Sequence, residues 1–156
     1  MSGNCVPYKS SLYIFGGVDK DRSDVRHVQE YNTKENTCTL VLRSMPRPHF
    51  MLRGILWETS VILLGEGTCF LFNIETETWQ KRKQFKIDTT FFGLVLENKR
   101  LFVIGAGGGL KESYRHDVRY VPLQKIIDNK VIAWKSHGKL PEDSIAGSCA
   151  IMRFSV

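Results

Sequence analysis

Three β-rich apolar runs that each end on glycine constrain this chain more than any other feature: Leu12-Tyr13-Ile14-Phe15-Gly16-Gly17, Val61-Ile62-Leu63-Leu64-Gly65 and Leu101-Phe102-Val103-Ile104-Gly105. Self-similarity of this kind marks stacked units, each of which cannot bury its apolar face alone. After a polar loop, every run is followed by a second alternating stretch: Val28 to Asn32, Phe70 to Asn73 and Asp117 to Val121. A short polar turn then leads to a third run, Thr37 to Leu40, Thr78 to Gln80 and Ile132 to Lys135, with Trp79 and Trp134 at matching positions. Strand candidates also precede the second and third glycine-ended runs, at Arg53 to Trp57 and Phe92 to Leu96, and Ile145 to Ile151 reads as the first strand of a further unit. The glycines recur 49 residues apart from Gly16 to Gly65 and 40 apart from Gly65 to Gly105. Four strands in a period of about 40 to 50 residues are the pattern of a propeller blade.

The fold expected is therefore all-β: about three four-stranded antiparallel blades plus one strand, in units 1–50, 51–88, 89–144 and the start of another at 145–156. A glycine ending the second strand is expected where neighbouring backbones crowd near a propeller axis and φ turns positive. An aromatic on the third strand and tryptophan on the fourth would give each blade an apolar face for its neighbour. Three blades and a strand are fewer than the four to eight that close a ring, so the chain is expected to be a fragment, a truncated product or half of a larger assembly.

The order strand-Gly-Gly, Tyr-Asn, Trp, Met-Pro-x-Pro resembles the kelch repeat. Gly16-Gly17, Glu30-Tyr31-Asn32 and Ser44-Met45-Pro46-Arg47-Pro48 carry the likeness in the first unit, with Cys38 in the tryptophan position. Phe72-Asn73 and Trp79 carry it in the second, where Gly65-Glu66 replaces the glycine pair; in the third, Gly105 is followed by Ala106 and an insertion separates Tyr120 from Trp134. Such degenerate repeats are similar to those of animal BTB-kelch proteins. The resemblance implies a partial kelch-type propeller that binds a protein substrate for a cullin-RING ubiquitin ligase. No BTB or BACK-like helical region appears in these residues, so direct cullin binding is not expected of this segment. The family resemblance also admits a scaffold that binds actin filaments, or a kelch-type copper oxidase.

The remaining chemistry is sparse. Gly105 to Gly109 lacks the third glycine and following helix of a dinucleotide site, and no Gly-x-Ser-x-Gly elbow or Gly-Lys-Ser/Thr phosphate loop occurs. His27, His49, His116 and His137 have no ligand-spaced partners and read as surface or loop residues. No enzyme activity, metal or cofactor is expected. The net charge of +6 is scattered except at Lys81-Arg82-Lys83 and Lys86, so nucleic acid is not the expected partner. Cys5, Cys38, Cys69 and Cys149 are far apart and read as free thiols of a reducing compartment. With no signal segment, N-glycosylation acceptor or apolar run of about 20 residues, the chain reads as cytoplasmic and without a membrane span. Binding is expected through blade loops. Arg22, Tyr114 and Arg115 are the candidate protein contacts, since Arg and Tyr combine large contact area with directed hydrogen bonds. The connections around Arg47 to Phe50 and Lys83 to Thr90 form a second candidate surface.

Overall fold

Tight turns set the architecture before any long-range packing does. Lys9, Glu58 and the Asn98-Lys99 pair take positive φ between 48° and 57° at three hairpin tips, the conformation that matches the twist of paired strands. These hairpins join β1 (Asn4–Tyr8) to β2 (Ser11–Phe15), β5 (Arg53–Trp57) to β6 (Ser60–Gly65), and β9 (Phe91–Glu97) to β10 (Arg100–Gly107). β3 (Val28–Asn32) and β4 (Thr37–Leu40) complete the first sheet, and β7 (Thr68–Asn73) and β8 (Thr78–Arg82) the second. The third is closed by β11 (Asp117–Pro122) and β12 (Lys135–Lys139), with a short helix α1 (Leu123–Ile127) between them. This computed structural model describes residues 4–49, 52–65, 67–82, 91–107, 117–130 and 133–140. The strand candidate at Ile145 to Ile151 lies outside them.

Each sheet is an antiparallel meander of four strands in chain order, so the all-β architecture expected from the repeat is the one found. One hydrogen bond recurs in all three. The residue after the third strand donates its N–H to the carbonyl of the first hairpin: Thr33 to Ser10 and Ile74 to Thr59 at 2.8 Å, and Leu123 to Lys99 at 2.9 Å. It places Asn32, Asn73 and Pro122 in equivalent positions. The Asn32 Oδ1 accepts from the Lys34 and Glu35 amides, and the Asn73 Oδ1 from the Thr76 amide, closing each turn. Pro122 has no such side chain, and α1 starts there instead, burying Leu123 and Ile126. The equivalence also corrects the matching of repeats read from the sequence. Val121, not Tyr120, corresponds to Tyr31 and Phe72. Tyr120 pairs with Lys135, so the next rung sets Trp134 across from Val121 as Trp79 lies across from Phe72, one residue outside the strand rather than in it.

The chain divides into two compact units, Met1–Arg82 and Lys83–Val156. In the first unit two sheets pack face to face. One contributes Val6, Tyr13, Phe15 and Val28, the other Val61, Leu63, Phe70 and Phe72, with Trp79 partly buried beside them. Phe15 meets Phe72 edge-on at 5.6 Å and Trp79 at 6.1 Å, and Phe72 lies 4.6 Å from Trp79. Each buried aromatic contributes about 2 to 3 kcal/mol by burial alone. At the hairpin end, the Tyr8 hydroxyl and the Lys9 ammonium both donate to Glu75 Oε1, at 2.7 and 3.1 Å. These bonds hold the Glu75 carboxyl below its ordinary value near 4.5, so what the link contributes is present above that value and lost as pH falls through the lowered one. In the second unit, Leu101, Val103 and Val121 are buried.

The strands that approach across the two sheets of the first unit are β1 and β5. Crowding there falls on Gly54, where a Cβ would lie 2.6 Å from Asn4 Nδ2 and 2.9 Å from Leu63 Cδ2. Gly16 has the positive φ and the crowding backbone that the sequence suggested, but its neighbour is a different segment. The backbone crowding it is the connection between sheets, not an adjacent strand: a Cβ at Gly16 would sit 2.1 Å from the His49 carbonyl oxygen and 2.7 Å from Met45 Cε. Its φ is +61°. Gly16→Val is expected to lower the unfolding free energy by about 3 kcal/mol or more, from left-handed strain plus that overlap, measured by urea denaturation. A loss below about 0.5 kcal/mol would contradict this placement.

Candidate functional site

Antiparallel meanders send alternate connections to opposite ends of a sheet. In the first unit, one end carries only tight hairpins and polar turns. The other carries the long 16–27 loop between β2 and β3 and the 41–52 connection between the sheets. These two segments are fastened together. Gly17 N–H donates to His49 O at 3.1 Å, Met45 N–H to Arg26 O at 2.8 Å, and Arg26 Nε back to Met45 O at 2.9 Å. Met45 itself is buried, which fixes the middle of the connection.

The loop tip is ordered by one carboxylate. Asp19 Oδ1 accepts from the Asp21 and Ser23 amides, both at 2.9 Å, while Asp19 N–H donates to Ser23 O at 3.0 Å. Val18 and Asp24 pair as a single bridge below the tip. Arg22 sits at the summit, exposed, with φ +61° and its amide donating to Asp19 O at 3.2 Å. A non-glycine residue held in the left-handed region costs about 1 kcal/mol or more, and the surrounding bonds maintain it. The arrangement presents an exposed Arg side chain on an ordered backbone, flanked by Lys20, Asp21 and Asp24, all exposed. It can form directed, charge-assisted bonds to an acidic or carbonyl-rich surface without first ordering its own backbone.

Of the candidate contacts, Arg22 lies exposed at the tip of this loop; Tyr114 and Arg115 lie outside the described residues, as do Lys83 to Thr90 and Phe50. His27 and His137 are exposed; His49 lies in the connecting loop, as one half of the surface-or-loop reading has it, but is only 5% exposed and so is not a surface residue. Its Nε2 accepts from Arg47 Nε at 2.9 Å and its ring lies 6.1 Å from Phe70, so it plugs the end of the aromatic core. Met45, Arg26 and His49 as the support of the loop were missed by reasoning from sequence, although Met45-Pro46-Arg47-Pro48 marked the segment. Lys81 is exposed and Arg82 is half-buried, donating to Gln80 Oε1 at 2.7 Å, while Lys83 and Lys86 lie outside the described residues. Cys5, Cys38 and Cys69 are free thiols, and burial pushes Cys69 up to about 12. Among the described residues no group of His, Cys, Asp and Glu has the arrangement of a metal site, and no helix is long and apolar enough to cross a membrane.

The sheets and their connections define a partial β-propeller. No protein-family model and no curated protein sequence matches the chain. Among solved structures, the chain is similar to the one titled "Structure of YjhT", with a TM-score of 0.69 and 10% sequence identity. The match covers 90% of this chain and 52% of that chain, so the present chain spans about half the length of that structure. At this identity the likeness is one of fold.

Asp19→Ala is expected to leave the sheets intact and to cost about 1 kcal/mol. Hydrogen exchange at the Asp21 and Ser23 amides should quicken about fivefold or more. Unchanged exchange at both would contradict the Asp19-centred tip.

Proposed function

We propose that this chain is a kelch-type segment whose role is protein recognition, acting in the cytoplasm as the substrate-reading part of a cullin-RING ubiquitin ligase adaptor. One observation carries the recognition part of the reading: a long loop, braced by the inter-sheet connection and by Asp19, holds Arg22 outward while the aromatic interior serves packing alone. A scaffold of this kind binds through its loops and needs no catalytic residue, metal or cofactor. The Met-Pro-Arg-Pro connection and the Tyr-Asn and Phe-Asn turns support the kelch assignment, since the first braces the loop and the other two close the turn from third to fourth strand. Cullin engagement and ubiquitin transfer belong to the adaptor as a whole; in this reading the present segment supplies only the recognition surface.

A photo-reactive amino acid at position 22, compared with one at Lys34 on the opposite end of the same sheet, tests the reading in cells. The expected outcome is a partner protein captured from position 22 but not from position 34. Reverting position 22 to Arg in a competing untagged copy should suppress the capture, an Arg22→Glu competitor should not, and a cullin should be absent from the product. Equal capture at both positions, or equal competition by the Arg22→Glu chain, would contradict recognition through this loop.

A further inference from the structure

The packing in the first unit shows which face of one sheet meets which face of the next, and the same register shows that two other faces of the same kinds are left. Side chains on one rung of a sheet share a face, and successive rungs alternate. In the first sheet the Val6–Tyr13 and Phe15–Val28 rungs point toward the second sheet. They meet the Leu56–Val61–Phe72–Trp79 and Gly54–Leu63–Phe70 rungs of that sheet. The opposite face of the first sheet carries the rungs Cys5–Ile14–Gln29–Leu40 and Pro7–Leu12–Tyr31–Cys38. Apart from Gln29 this face is apolar or aromatic. Leu40 is 63% exposed, Cys5, Pro7 and Cys38 are exposed, and Leu12, Ile14 and Tyr31 are half-buried. By the repeat, Leu12 and Ile14 are the counterparts of Val61 and Leu63. The face is thus of the kind that receives a Tyr13–Phe15 face.

The third sheet offers such a face. Phe102 and Ile104 are the counterparts of Tyr13 and Phe15, and their rungs carry Val95, Tyr120, Gly93 and Val118. Phe102, Tyr120 and His137 cluster there with ring centroids 5.2 to 5.7 Å apart, and Phe102, Ile104, Val118 and Tyr120 are only half-buried. Apolar side chains left half-exposed together on one face mark an interaction surface.

We infer that the 156-residue chain associates with a second copy of itself, the Leu12–Ile14–Leu40 face of one copy covered by the Phe102–Ile104–Tyr120 face of the other. The seam repeats the inter-sheet packing already present in the first unit. Each copy carries one face of each kind, so the pairing can be reciprocal, which is the closed form of such a contact. The length fits: the chain matches 52% of a solved structure with this fold, so two copies supply about the length of that one. This association does not depend on Arg22 or on what the loop binds.

Sedimentation of the full chain at micromolar concentration is expected to give twice the 17.9 kDa monomer mass. Leu40→Lys, chosen because Leu40 is largely exposed, should raise the dissociation constant at least about tenfold with an unchanged circular dichroism spectrum. A photo-reactive residue at position 40, in a mixture of isotopically light and heavy chains, should cross-link to peptides of the third sheet of the other copy. A monomeric wild type, an undiminished dimer in Leu40→Lys, or cross-links confined to the first sheet of the other copy would each overturn the inference. If Leu40→Lys fails to fold, the mass of the wild type and its cross-link partner still decide.

Discussion

Sheets of four short strands do not stand alone in water; they persist because an aromatic face of one is pressed on an aliphatic and aromatic face of the next. In the first unit that contact is Phe15 and Tyr13 against Phe72, Phe70 and Val61, sealed at its margin by Trp79. The indole nitrogen of Trp79 donates to Arg43 O at 3.0 Å, which ties the fourth strand of one sheet to the connection leaving the other. The same connection then supplies Met45 and His49 to the top of the core. Packing and chain path are thus one structure, and Gly16 is the position at which they touch.

The 16–27 loop depends on this arrangement. Its bases are bonded to a connection that is itself anchored by buried Met45, so the tip stands on a braced support. Charge at the tip is mixed, with Arg22 between Asp21 and Asp24 and beside Lys20, which favours directed bonds over general attraction to a polyanion. Proposing protein recognition for the whole follows from this division of labour between a packed interior and a braced loop.

Much of the fold could be read from residue order. The continuous apolar runs Leu12 to Phe15 and Val61 to Leu64, each ending on glycine, specified strands, and the Tyr-Asn and Phe-Asn pairs specified where they turn. What resisted reading was anything set by tertiary packing or by a single substitution. The helix α1 is five residues long, too short for a helical period to register against the strand pattern around it, and it exists because Pro122 stands where Asn closes the other turns. The one-residue shift between Tyr120 and Val121 was invisible because two aromatic or β-branched residues in succession fit either face. His49 was read as a surface or loop residue because histidine usually is one, and only the folded chain shows this loop residue buried against Phe70. Of the candidate site, Arg22 could be singled out by composition, whereas Asp19 as the organiser of its loop and Met45 as its support required the geometry.

A double-mutant cycle between Phe15→Ala and Phe72→Ala, followed by urea denaturation, tests the inter-sheet contact most directly. The two side chains lie in different sheets, 57 positions apart in sequence, with centroids 5.6 Å apart. Packing of one face on the other predicts a coupling energy of about 1 kcal/mol. Losses that add to within about 0.3 kcal/mol would contradict it.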